Sequence, residues 1–153
     1  QLDEAALNDM GLSPDTLVTA KIKGVRLDSA LSLVLAPLDL TYIVSNEVIL
    51  ITSKEKAETL FDARVYPVDL FLEHDADTIA RLIRTTIASD TWTENGGEGG
   101  TISVVSDRLV ISQTYHVHRQ ITDLLCQLRT AKQKEVALEE EKAVPEEPGS
   151  RFR

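Results

Sequence analysis

The chain has 153 residues, 42% of them apolar and 27% charged, a globular composition sufficient for one ordinary domain or two small ones. A formal charge of −9, with no interior run of Lys or Arg, makes phosphate-backbone binding unfavourable and nucleic acid a poor partner. No uninterrupted apolar run approaches the roughly 20 residues of a bilayer span, and the single Cys126 excludes an internal disulfide and a cysteine-based zinc site.

Residues 2–10 predict a short acidic helix with Ala6, Leu7 and Met10 on one side and Gly11 as a left-handed stop. A start at Gln1 rather than Met is expected of a processed or excised chain, from which any export signal has been removed. Residues 16–23 alternate Leu17, Thr19 and Lys21 against Val18, Ala20 and Ile22, which predicts a strand with Val18 and Ile22 inward, closed by Gly24. From Leu27 the period becomes three and four residues through Ala30, Leu31, Val34 and Leu35, predicting a buried helix stopped by Pro37. Residues 40–44 and 48–52 predict two strands across the polar turn Ser45-Asn46-Glu47, and residues 53–60 a helix-compatible connection.

Residues 63–68 predict an edge strand, because Pro67 supplies no ladder donor. Asp75 or Asp77 can cap the next helix, whose Ile79, Leu82, Ile83, Thr86 and Ile87 form a narrow apolar stripe. Beyond a loop at 90–100, residues 101–114 carry the clearest two-strand pattern in the chain. Ile102 and Val104, then Leu109 and Ile111, point to the core on either side of Ser106-Asp107. Thr114 can cap a last helix with Val117, Ile121, Leu124, Leu125 and Leu128 inward. Residues 132–142 read as its solvated Lys/Glu extension and residues 144–153 as a mobile tail.

The expected fold class is α+β, with two small modules, each a helix-backed and mostly antiparallel sheet. The first, residues 1–60, has an N-terminal helix and then runs strand-helix-strand-strand. The second, residues 61–131, runs strand-helix-strand-strand-helix, and residues 132–153 form the extension and tail. Modules this small are marginal alone, so they are expected to pack on each other.

Chemical groups are sparse. The glycine-rich stretch from Trp92 to Gly100 lacks the Gly-Lys-Ser/Thr of a phosphate loop, carries Glu94 and Glu98, and leads into a strand, so it reads as a flexible connector. Trp92 reads as a lid on the core edge, with an exposed partner anchor as the sharper alternative. His116 and His118, two apart on a helix, face different sides; together with His74 they read as solvated histidines rather than metal ligands. No nucleophile motif is present, and Cys126 lies off the apolar stripe, either in an inter-module contact or as an accessible thiol. Neither catalysis nor a cofactor is expected.

Lys23-Gly24-Val25-Arg26-Leu27-Asp28-Ser29-Ala30-Leu31, followed by Leu40-Thr41-Tyr42 and Val48-Ile49-Leu50-Ile51-Thr52, resembles the short N-terminal domain of secretins and TonB-dependent receptors. Arg64-Val65-Tyr66-Pro67-Val68, residues 102–113 and the run to Leu128 resemble the repeated periplasmic N-domains of bacterial secretins. The composite is similar to exported proteins of planctomycete-type bacteria. Nothing resembles the secretin β-barrel, and Asp107-Arg108 stands where the secretin-like hairpin usually carries Asn-Ser.

What the resemblance implies is a non-catalytic interaction or self-association module in the periplasm or envelope of a bacterium. Its partner would be a protein, either a second copy or another envelope component. The candidate contact surface comprises Val65 and Tyr66 on the edge strand, Val105 and Val110 on the outer face of the hairpin, Trp92 and Cys126, with cover by the first module as the equal alternative for Val105 and Val110. The other expectations kept open are a KH-like nucleic-acid module, which would share the βαββα order but need a basic groove and a Gly-x-x-Gly junction, and a small ligand- or metal-binding domain.

Overall fold

The computed structural model describes residues 1–68 and 75–143, so His74, Glu73 and the expected tail lie outside the described residues. Helix α1 (Glu4–Asp9) is short and capped by Asp3, whose carboxylate accepts from Ala6 N at 3.2 Å. Asp3 also accepts from the hydroxyl of fully buried Thr52 at 2.9 Å and pairs with Lys56 at 3.1 Å. The Lys56 bond comes first among the causes that lower the Asp3 carboxyl below its usual range. These bonds hold the N-terminus on strand β2 (Val48–Ser53), where Leu2 makes a parallel bridge to Ile51.

Helix α2 (Leu27–Leu35) starts without a side-chain cap at Arg26 and passes through a 3-10 turn at Ala36–Leu38, where Pro37 stops it as expected. Of its expected core face only Leu35 is fully buried; Leu27 lies open to solvent. Strand β1 (Leu40–Ser45) pairs antiparallel with β2, from Leu40 opposite Ser53 to Ser45 opposite Val48. Between them Asn46 and Glu47 both have positive φ, the backbone of a mirror-image hairpin turn that matches the strand twist. Helix α3 (Lys54–Thr59) follows at once, capped by Ser53 and burying Ala57.

The expected strand at residues 16–23 does not form. This stretch is unpaired, and Leu17 is 95% exposed instead of lying along a sheet. A strand needs a neighbour to satisfy its backbone, and the alternation of its side chains carries no information on whether one is within reach. Among the described residues the first sheet therefore has two strands, not three.

The second half follows the expected order. Strand β3 (Phe61–Pro67), helix α4 (Ala76–Thr86), strands β4 (Thr101–Val105) and β5 (Arg108–Thr114) and helix α5 (Tyr115–Ala143) make a three-stranded antiparallel sheet, β3-β5-β4, with α4 and α5 on one face. Asp75 caps α4 through Thr78 N at 2.8 Å. The chain is thus α+β, and its buried apolar residues gather in two clusters. One holds Ile79, Ile83, Trp92, Leu109, Ile111 and Ile121; the other holds Leu7, Leu35, Leu40 and Tyr42, with Tyr115 of α5 packed against it.

Candidate interaction surface

Strand alternation decides which side chains of the second sheet are free. Ile102, Leu109 and Ile111 point under the helices and are buried, so the odd positions of β3 and β4 and the even positions of β5 form the opposite face. Val65 pairs with Val110, which pairs with Ser103; in the next row Pro67, Arg108 and Val105 lie side by side. Val65 and Val105 are each 56% exposed and Val110 is half-buried. This brings three sequence-chosen residues onto one open face, with no cover over Val65 and Val105 from the first half of the chain. Among the described residues the outer edges of both β3 and β4 also lack a further strand.

Trp92 does not belong to that surface. Its side chain is fully buried, and its indole N–H donates to Ile87 O at 2.8 Å. Lying inside the second cluster, it is a core anchor rather than an exposed contact for a partner. The loop that follows is ordered, not the flexible connector expected. Thr93–Asn95 make a 3-10 turn, Asn95 Nδ2 donates to Arg84 O and Ser89 O, and Arg84 pairs with Glu94 at 3.4 Å. Amides of Gly96, Gly97 and Gly100 donate to Thr93 O, Trp92 O and Thr91 O, so the loop consumes donors that a phosphate would need.

Tyr66 points to the helix side of β3, half-buried, with its hydroxyl 2.8 Å from His118 Nδ1. His118 is fully buried, which overturns the expectation of a solvated imidazole. Its Nε2 lies 2.8 Å from Asp62 O. A carbonyl only accepts, so Nε2 carries the proton and Nδ1 accepts from the Tyr66 hydroxyl. Burial, the largest cause, lowers the His118 pKa, and burial raises that of Tyr66; both groups are held neutral.

His116 turns the other way, as the spacing requires, and its Nε2 lies 2.9 Å from Thr41 Oγ1 on β1. Burial, then nearby Arg119, lowers its pKa. This hydroxyl–imidazole pair stands at the wall of a cleft of about 590 Å³ floored by Ala57, Phe61 and Val117 and rimmed by Lys54, Glu58 and Asp90. Among the described residues His116 Nδ1 has no acidic partner to orient it, the third member that a hydroxyl nucleophile relies on. The pair ties β1 to α5.

Sequence reasoning missed the polar joint between the two clusters. Arg119 of α5 donates through Nη1 to Tyr42 Oη at 2.6 Å and through Nη2 to Asp28 Oδ2 at 2.7 Å. Tyr115 meets Tyr42 edge-on, ring centroids 6.0 Å apart, and the Arg64 guanidinium lies 5.8 Å from the Tyr115 ring centre. The available signal was the polar cluster Tyr115-His116-His118-Arg119 opening a helix that needed none of it for solubility. Cys126 is exposed, consistent with an accessible thiol and not with a residue sealed between modules.

Among the described residues, no group of three or more His, Cys, Asp or Glu side chains is placed to hold a metal ion, and no helix is long and apolar enough to cross a membrane. A scan against protein-family models finds no matching family, and a search of curated proteins finds no match.

Proposed function

We propose that this chain is a non-catalytic protein-interaction module that associates through its second sheet, within a bacterial cell-envelope or secretin-like system. The observation that carries the interaction reading is the open sheet face: Val65, Val110 and Val105 sit together opposite the helices, and free β-edges flank them. Exposed valines on a sheet with unpaired edges supply both apolar area and backbone hydrogen-bond sites, the two ingredients of strand-mediated association. Support for the envelope setting comes from the resemblance of residues 17–130 to secretin-type N-domains. Partners of this chemistry are proteins, a second copy first among them.

Light scattering over a concentration series tests the reading. The mass should rise above 16.9 kDa as concentration increases. Val65→Asp with Val105→Asp should hold the chain at that mass without altering its melting temperature, since both side chains are largely in solvent. A wild type that stays monomeric up to near-millimolar concentration overturns self-association.

The cleft beside His116 favours a second reading, a small-ligand site, because its apolar floor and charged rim have the size and make-up of such sites. Fragment screening by NMR would have to find binders whose shifts map to Phe61 and Val117.

A further inference from the structure

Residues 16–23 have the composition of a strand and the surroundings of none. Leu17 is 95% exposed and Val18, from the apolar row of the alternation, is 45% exposed, an unusual position for large apolar side chains on both faces of a strand-like segment. Among the described residues, no backbone N–H or C=O of residues 17–25 takes part in a backbone hydrogen bond. The segment is bounded by the Ser13–Thr16 turn, where Thr16 N donates to Ser13 O, and by Gly24 at φ +71°. Both ends thus set it apart as a separate arm.

An edge of complementary character exists in the same molecule. Strand β4 reads Thr-Ile-Ser-Val-Val, uncharged and rich in β-branched residues, and beyond the parallel Trp92–Gly100 bridge that precedes it, its outer edge is unpaired among the described residues. Thr101, Ser103 and Val105 are exposed along it. Acidic Glu98 and Asp107 flank it, whereas the arm carries Lys21 and Lys23 in a chain whose net charge is −9. The alternatives fit less well: the β3 edge ends in Pro67, which has no amide to donate, while β1 has Leu40, Tyr42 and Ile43 buried.

We infer that residues 17–22 form a donor strand that pairs with the outer edge of β4 in a second copy of this chain. Val18, Ala20 and Ile22 then extend the inward row of Ile102 and Val104, and Thr19 and Lys21 extend the outer row of Ser103. Reciprocal exchange in a pair satisfies both arms and both edges, so the closed product is a twofold dimer. This inference rests on the self-association reading and names the segment that performs it.

Thr19→Pro removes a ladder donor from the arm, and because Thr19 makes no backbone bond within the chain the monomer should melt as before. Light scattering should show the wild type approaching twice 16.9 kDa and Thr19→Pro staying at 16.9 kDa. Val18→Lys, which keeps the donor but charges the inward row, should weaken dimerisation at least tenfold. Hydrogen exchange should show amides of residues 17–22 and 101–105 gaining protection together as concentration rises. If Thr19→Pro associates as fully as the wild type, the donor strand is refuted while association through the open face stands. A wild type that never dimerises removes both.

Discussion

Arg119 Nη2 lies 2.7 Å from Asp28 Oδ2, a bond spanning 91 positions that fastens the last helix to the second. Asp28 also accepts from Ser29 N at 2.9 Å, and that bond, outweighing partial burial with help from Arg26 and Arg119, holds its carboxyl below the usual range. Arg119→Met keeps the stem and removes the fork, so it should lower the melting temperature by a few degrees and leave the secondary structure intact. Asp28→Asn added to it should cost little more, because the partner is already gone; thermal melts of the double-mutant cycle measure the coupling.

His118 makes stability depend on pH near neutrality. Its folded pKa lies below the 6.5 of the free group, so between the two values the unfolded chain binds more protons than the folded one. Stability is therefore full above about pH 6.5 and falls as pH drops below it, the loss levelling off once pH passes the folded pKa. His116 shifts in the same direction and adds to the slope. Denaturant melts at about pH 7.5 and about pH 5.5 should show the drop. His118→Gln should reduce the slope to the part that His116 supplies; His118→Leu, which strands the Tyr66 hydroxyl and Asp62 O, should cost about 2 kcal/mol above about pH 6.5 and less below it.

Trp92 is the only tryptophan, so fluorescence reads one site. Complete burial among Ile79, Ile83 and Ile111 predicts blue-shifted emission that moves red in a single step on unfolding. Trp92→Ala should destabilise the protein by about 4 kcal/mol, combining a large cavity with an orphaned Ile87 carbonyl.

Glycines in different parts of the chain differ in what they tolerate. A Cβ on Gly97 would lie 2.3 Å from Asp90 O and 2.5 Å from Thr91 C, both fixed backbone. Gly97→Ala should therefore cost about 2 kcal/mol or more through forced backbone movement. At Gly11 nothing lies within 4 Å, and only its φ of +71° resists a side chain, so Gly11→Ala should cost about 1 kcal/mol. Chemical denaturation of the two variants side by side checks the order.

Maleimide labelling of Cys126 should proceed in the folded protein without denaturant, because the thiol is exposed on α5. Slow labelling that accelerates only on unfolding would contradict this placement.

Much of the fold was legible because apolar periodicity reports burial directly. The alternation of Ile102, Leu109 and Ile111 and the stripe through Ile79 and Ile83 placed the second core correctly. The outward placement of Val105 followed from the same rule, whereas Val65 was legible only as a residue of an edge strand. Residues 16–23 show its limit: alternation describes a strand's faces but not its neighbour, and pairing is decided elsewhere in the chain. The polar interior was hidden for a related reason. His118, Gln113 and Thr52 are buried because specific partners satisfy them, Tyr66 and Asp62 O for the first, and partner geometry leaves no trace in hydropathy. Trp92 lay beside a glycine-rich stretch that suggested a loose loop, yet Gly97 and Gly100 let the backbone close tightly on Asp90 and Thr91.

Helix α5 has 29 residues, about 43 Å of rise, and its opening turns serve two masters. Val117 and Ile121 complete one cluster, while Tyr115 and Arg119 reach the other. Neither half owns all of its own interior. Heating should therefore melt the molecule in one concerted calorimetric transition, and a cut just ahead of Tyr115 should leave the N-terminal fragment unable to hold its shape.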